Sequence, residues 1–402
     1  MRQIKDQLAD FPAQLFILYA VLYAVQAVYG GYLNLYLSDI GFSKTQIGLI
    51  VSLSTAVLLL FQPLWGMISD RSRSKNTMLK VLYAASAVAA LLFYTTTVYW
   101  QLLGIIILFS MFYFPIIPLQ DNHGLEYLED KRWDFGKVRM GGTLGYAAAV
   151  IITGLLLKDD YSKIFIAISV LLLLCLIAVF LIPSVPGHHT ERQTRRGLPL
   201  RDIFKNPLMI CLMVFFIVFA LGFNLYYSFY PIHFSSVGGT SRQIGTMLFV
   251  SAISEIPFLL TARYWLRRFG IEKVLIASGL ISSLRWLLLF FLEAPVLIIL
   301  VNCLHGLGYV TVNFSIISFI NTNLPRQLRA TGQTICAVLV MFFSRVIFGY
   351  IGGIASDFFG VSQMMLFSAV ITIIITFVFM IWFSWLKKRT VYIPLQESAR
   401  AE

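Results

Sequence analysis

Two residues of opposite charge, Asp121 and Arg139, stand at the two ends of DNHGLEYLEDKRWDFGKVR, each beside a long apolar run. If the polar middle is the turn of a helical hairpin, its midpoint is Asp130, and acid and guanidinium lie equally far from the bend. In antiparallel neighbours they then share a depth, and face each other wherever their helix faces agree. A guanidinium fork gives paired hydrogen bonds to hydroxyls or carboxylates, so the pair can clamp a solute and exchange partners. It can equally be a permanent ion pair holding two helices together. Three more ionisable side chains, Glu255, Arg285 and His305, also fall within apolar stretches. A charge at the middle of a bilayer costs about 2.5–3.5 kcal/mol on insertion scales, which makes such residues functional candidates by default.

Each of the three has a chemical reading beside a plain one. Glu255 reads as a proton-carrying carboxylate, because an acid whose hold on its proton changes as a cation approaches is what ion coupling requires. The plain reading is a hydrated residue near the membrane edge. His305 could relay a proton or bond a solute, or be a satisfied polar contact. Arg285 needs a partner at depth, and Glu255 or a solute is the partner expected.

These side chains require a membrane scaffold. The chain has 402 residues, 58% hydrophobic and 12% charged, with mean hydropathy +0.81. A soluble domain carries about 25% charged residues. Apolar runs of twenty or more residues mean helices, since a membrane barrel alternates in segments of about ten. Spans are predicted at 13–38, 45–69, 77–98, 100–127, 137–157 and 162–182, and again at 207–232, 241–266, 272–292, 295–321, 330–355 and 361–386. The fold class expected is an all-α membrane protein of twelve transmembrane helices in two six-helix bundles, 1–182 and 206–390. A basic linker, 183–205, joins them and a tail, 391–402, follows.

The formal net charge of +12 could suggest nucleic acid, but its placement argues against that. Gaps after even-numbered spans hold most of the bases, among them Arg71, Arg73, Lys75, Lys131, Arg132, Arg195, Arg196, Arg267, Arg268, Lys273, Lys387 and Lys388. Both termini are therefore expected in the cytoplasm, with the chain multi-pass in the cell membrane. Cys175, Cys211, Cys303 and Cys336 all fall in apolar runs and read as packing residues, with no metal-ligand spacing. No HExxH, P-loop or GxSxG elbow is present, so neither an enzyme nor a cofactor is expected. Without a nucleotide site, uphill work would come from an ion gradient; a proton crossing 100 mV releases about 2.3 kcal/mol.

The stretch LLFQPLWGMISDR, Leu59–Arg71, followed by Lys75, resembles the signature loop of the major facilitator superfamily. In that reading Gly66 permits close helix approach, Asp70 sits against the positive end of another helix, and Asp70 with Arg71 latches the bundle. A decayed copy lacking the Asp stands at Arg263–Lys273. A closer resemblance is to the lactose-permease-like branch, with its phenylpropionate and nucleoside proton symporters. Phe135–Met140 is similar to that branch's entry to helix five, where the last Arg contacts substrate and pairs with an acid on helix four; those roles fall on Arg139 and Asp121. The family's sugar-stacking aromatic lies seven residues further on, at Tyr146. Ser282–Trp286 and Leu304–Gly306 resemble the coupling Arg and His, giving Arg285 and His305. The chain departs at Gly308, where lactose permease has an acid, and at Met341, where it has a lysine; Arg345 follows one turn later.

The function expected is proton-coupled symport of a small polar organic solute by alternating access around a central cavity. A sugar or oligosaccharide leads. The alternatives are a nucleoside or aromatic-acid symporter, or proton-driven drug efflux. Asp121, Arg139 and Tyr146 would hold solute, and Glu255, Arg285 and His305 would handle the proton. The partners implied are solute, proton and bilayer, with no nucleic acid and no metal, and the chain acting as a monomer.

Overall fold

The computed structural model describes residues 11–389 apart from 73, 130, 132, 159 and 183–200. The bend residue Asp130, the bases Arg73, Arg132, Arg195 and Arg196, most of the expected linker and the whole tail lie outside the described residues. The apolar runs form helices: α1 Ala13–Asp39, α2 Lys44–Arg71, α3 Lys75–Leu92, α4 Tyr99–Tyr113, α5 Ile116–Leu128, α6 Phe135–Leu157 and α7 Ile164–Leu181. They continue as α8 Pro207–Ser236, α9 Ser241–Phe291, α10 Pro295–Val301, α11 His305–Asn323, α12 Arg326–Met341, α13 Phe348–Phe359 and α14 Val361–Lys387.

Among the described residues eleven helices are long and apolar enough to cross a membrane. The difference from the expected count lies in α9. It runs 51 residues without a loop, but Gly270 within it has φ 78° and ψ 160°, which no helix contains. A glycine adopts that left-handed φ at little cost, so one residue makes the turn that a polar loop would otherwise make.

The starts of α6, α8 and α9 are set by side chains that accept orphan backbone N–H groups. Asp134 accepts from Gly136 N at 2.8 Å and Lys137 N at 3.3 Å and so opens α6. Asn206 accepts from Leu208 N at 3.0 Å to open α8. Thr240 and Gln243 form a reciprocal capping box at α9. Pro115 separates α4 from α5. Between α12 and α13 the ladder widens into a π-helical stretch, Phe342–Ile347.

The chain divides into two compact units, one of Met1–Phe42 with Leu53–Gln193, the other of Ser43–Ser52 with Thr194–Glu402. In the first, α1 packs along α6 and α7, and α3 along α7. The α1–α6 approach is close enough that a Cβ on Gly145 would lie 2.0 Å from the Ala20 carbonyl oxygen. Small residues on such a face let two backbones meet. In the second unit α9 packs on α11 and α14, and α8 on α14. There a Cβ on Gly306 would lie 2.0 Å from the Ser254 carbonyl oxygen. The start of α2 belongs to this unit, where Asp357 accepts from Lys44 N at 3.0 Å and Thr45 N at 2.7 Å. The four cysteines are free thiols, three buried and Cys303 exposed.

Candidate functional site

The first cluster is built by three helices of the first unit. Asp134 fixes where α6 begins, and the close α1–α6 contact brings Tyr23 beside Arg139. A Cβ on Gly142 would lie 2.7 Å from the Tyr23 ring, so that ring sits where only glycine leaves room. The Arg139 Nε donates to Asp121 Oδ1 at 3.2 Å, and Nη2 donates to the Tyr23 hydroxyl. The Tyr23 ring centroid is 5.4 Å from the guanidinium carbon. The hairpin geometry read from the sequence thus brings acid and base together.

Arg139 lies only four residues inside α6, about 6 Å from its start, near the helix end. The arginine side chain keeps 42% of its surface exposed and the aspartate 25%. A solute can therefore reach both without first displacing protein. Beneath them Tyr19 donates to the Gln120 carbonyl at 3.1 Å, and the Gln120 side chain accepts from Tyr83. Tyr146 is half-buried at mid-helix, two turns further along α6 than Arg139.

The residues of the expected latch, Gly66, Asp70 and Arg71, lie in the last turns of α2. A Cβ on Gly66 would meet nothing within 4 Å, so no helix approaches closely there. Asp70 and Arg71 end α2 exposed and make no hydrogen bond or ion pair among the described residues. Nearby, Glu126 pairs with the buried Lys75, and Lys131 lies over the Tyr127 ring at 3.4 Å.

The second cluster lies wholly in the second unit. His305 is fully buried, and its Nε2 is 3.1 Å from Glu255 Oε1 and 2.8 Å from the Tyr227 hydroxyl. One nitrogen meets a carboxyl and a phenol, so the protonation of the ring decides which of the three donates. Glu255 keeps a third of its side chain exposed. A proton arriving at the carboxyl is thus one hydrogen bond from a buried imidazole.

Arg285 is fully buried, and the partner expected for it is not the one found. Its Nη2 donates to Asn302 Oδ1 at 2.6 Å, and the guanidinium lies over Tyr226 at 4.2 Å and Trp286 at 4.6 Å. Glu255 is committed to His305 instead. The Asn302 oxygen also accepts from Tyr226 at 2.6 Å and Ser251 at 3.2 Å. Aromatic faces and an amide dipole solvate the cation in place of a carboxylate. Its Nε and Nη1 have no hydrogen-bond partner among the described residues. Arg345, half-buried, falls within the π-helical stretch, a form of helix often found at functional sites.

Tyr23 and Tyr227, to which sequence reasoning assigned no role, carry these clusters together with Asn302. A signal existed in part: Tyr19 and Tyr23 are four apart and share one face of α1, next to the Arg-bearing helix.

A model of the MFS_1 like family matches residues 13–369, across both clusters. The chain belongs to this family. It is a multi-pass membrane transporter of the major facilitator type. Another such chain, an uncharacterized transporter of Bacillus subtilis (strain 168), YwbF, is 29% identical over 336 residues, covering 82% of this chain and 83% of its own length. The maltose permease of Geobacillus stearothermophilus is 30% identical over 284 residues, 69% of each chain. Among solved structures, the crystal structure of the nucleoside transporter NupG superposes with TM-score 0.82, at 20% identity, over 92% of this chain and 98% of that one. At that identity the likeness establishes the major facilitator fold.

Proposed function

We propose that this transporter carries a small hydroxyl-rich solute together with a proton by alternating access, with a sugar or oligosaccharide as the leading class. The observation that carries the reading is the half-exposed Asp121–Arg139–Tyr23 cluster. An acid, a guanidinium fork and a phenol offer acceptors and donors in one place, as a polyol needs, and leave no uncompensated charge for a neutral solute to meet. Tyr146 would add a stacking face further along α6. Similarity to a maltose permease supports the sugar. Likeness of fold to a nucleoside transporter favours a second reading, a nucleoside, whose ribose presents hydroxyls and whose base would stack on Tyr23 or Tyr146.

The Glu255–His305–Tyr227 chain would carry the proton. The buried Arg285 would bias it, through the shared packing of Phe223 against both Arg285 and His305. Coupling then needs no cofactor. In the same proposal α9 crosses the bilayer twice, turning at Gly270, so that the eleven helices make twelve spans in two bundles, 1–182 and 206–390, joined by 183–205. Both termini would face the cytoplasm of the cell membrane, the chain acting as a monomer.

The test is solute counterflow in proteoliposomes, run with maltose and with uridine. Arg139→Lys keeps the charge but loses the fork, and is expected to abolish counterflow of the solute that wild type carries. Normal counterflow in this variant would reduce Arg139 to a structural ion pair.

A further inference from the structure

A groove between α9 and α11 belongs to neither cluster. It encloses 360 Å³ and is walled by Phe258, Trp265 and Phe269 before the Gly270 turn and by Ala277 and Ile281 after it. The Trp265 indole N–H donates to Thr261 Oγ1 at 2.9 Å, and its ring stacks on Phe269 with centroids 5.6 Å apart. That wall is therefore fixed in shape. Two hydroxyls line the floor, and both are already committed: Ser278 donates to the Val274 carbonyl at 2.8 Å and Thr311 to the Leu307 carbonyl. A polar solute finds no unmet partner here, whereas hydrocarbon covers the walls without leaving a polar group bare.

The rim has the opposite character. Lys273 lines the groove, is exposed, and makes no ion pair among the described residues. Its neighbour Glu272 does not neutralise it, because that carboxylate accepts from Ser384 at 2.6 Å and pairs with Lys387 at 3.5 Å. Arg268, also exposed, stands two residues before the Gly270 turn, its Nη1 donating to the Tyr264 hydroxyl at 2.5 Å and its guanidinium 5.7 Å from the ring of Phe269, which lines the groove. From Lys273 to Ile281 the groove follows α9 for about 12 Å, enough for a stretch of acyl chain. Cations above an apolar slot between membrane helices match the two halves of one molecule: a negative headgroup and a hydrocarbon tail.

We propose that this groove binds an anionic phospholipid, its phosphate against Lys273 and Arg268 and one acyl chain along the Trp265–Phe269 wall. The site is separate from the solute and proton clusters and does not depend on what they carry. Thermal unfolding of the purified transporter in detergent tests it, with dioleoyl phosphatidylglycerol, dioleoyl phosphatidylcholine or glycerol 3-phosphate added. Phosphatidylglycerol is expected to raise Tm by several degrees more than phosphatidylcholine, and glycerol 3-phosphate to have no effect. Lys273→Glu, a change at an exposed position, should remove that increment while keeping the response to phosphatidylcholine. Ala277→Trp, which fills the groove, should do the same, and Lys273→Arg should retain it. Equal responses to the two lipids, a full response to glycerol 3-phosphate, or an undiminished increment in Lys273→Glu would each overturn the assignment.

Discussion

Tyr23 gives Arg139 a second partner, and this changes what the Asp121–Arg139 pair can do. An arginine bonded only to an acid gains little by releasing it to a solute. Here the guanidinium divides its donors between a carboxylate and a phenol, so a solute hydroxyl can bond to the phenol, which Arg139 holds in place, while the ion pair stays closed. A hydrogen bond with one charged partner is worth about 1.5–3 kcal/mol, and exposure of the cluster places this one toward the lower end. Tyr23→Phe is therefore expected to weaken solute affinity about tenfold, with folding intact, as isothermal titration would show. Unchanged affinity would assign the hydroxyl to packing. The same logic separates Arg285 from Arg139: being fully buried and solvated by Asn302, Tyr226 and Trp286, it is placed to act through its field on neighbouring groups, not by contact with solute.

The helices that hold these groups are placed by features of very different visibility. At the α1–α6 contact a Cβ on Gly145 would overlap the Ala20 carbonyl, and backbone cannot yield as a side-chain tip can. Gly145→Ala is expected to cost about 1–3 kcal/mol by overpacking. It should lower the thermal midpoint and, by moving Tyr23 off Arg139, weaken solute binding together with stability. A variant as stable as wild type would mean the two helices are not held by this approach. The sequence made the spans legible because apolar length alone decides them, and it made the Asp121–Arg139 pairing legible because a hairpin fixes equal distances from its bend. The break in α9 at Gly270 was legible too, because Arg267, Arg268, Glu272 and Lys273 interrupt the apolar run around it, but not that the helix would continue on both sides with a single non-helical residue. Nor could the sequence show that Gly66 meets open space, or that Asn302 and not Glu255 meets Arg285. Those outcomes depend on which faces of distant helices turn toward each other, and strongly apolar helices carry little amphipathic signal of their facing.

At the scale of the whole molecule, one unit holds the solute-type cluster and the other the proton-type cluster. Symport requires that events at the two be linked, so that neither solute nor proton crosses alone. The linkage must be energetic: solute and proton each have to favour the same conformation, and each then raises the other's affinity by the same factor. Family membership supplies the transporter architecture, and in the proposed cycle Glu255, next to His305 and Tyr227, would be the proton's carrier. The most direct measurement is solute-driven proton movement in proteoliposomes with no imposed gradient, followed with a pH-sensitive dye outside. Addition of the transported solute to wild type is predicted to alkalinise the medium, while Glu255→Gln shows no pH change yet still exchanges solute across the membrane. Solute entry without alkalinisation in wild type, or equal alkalinisation in Glu255→Gln, would contradict the account.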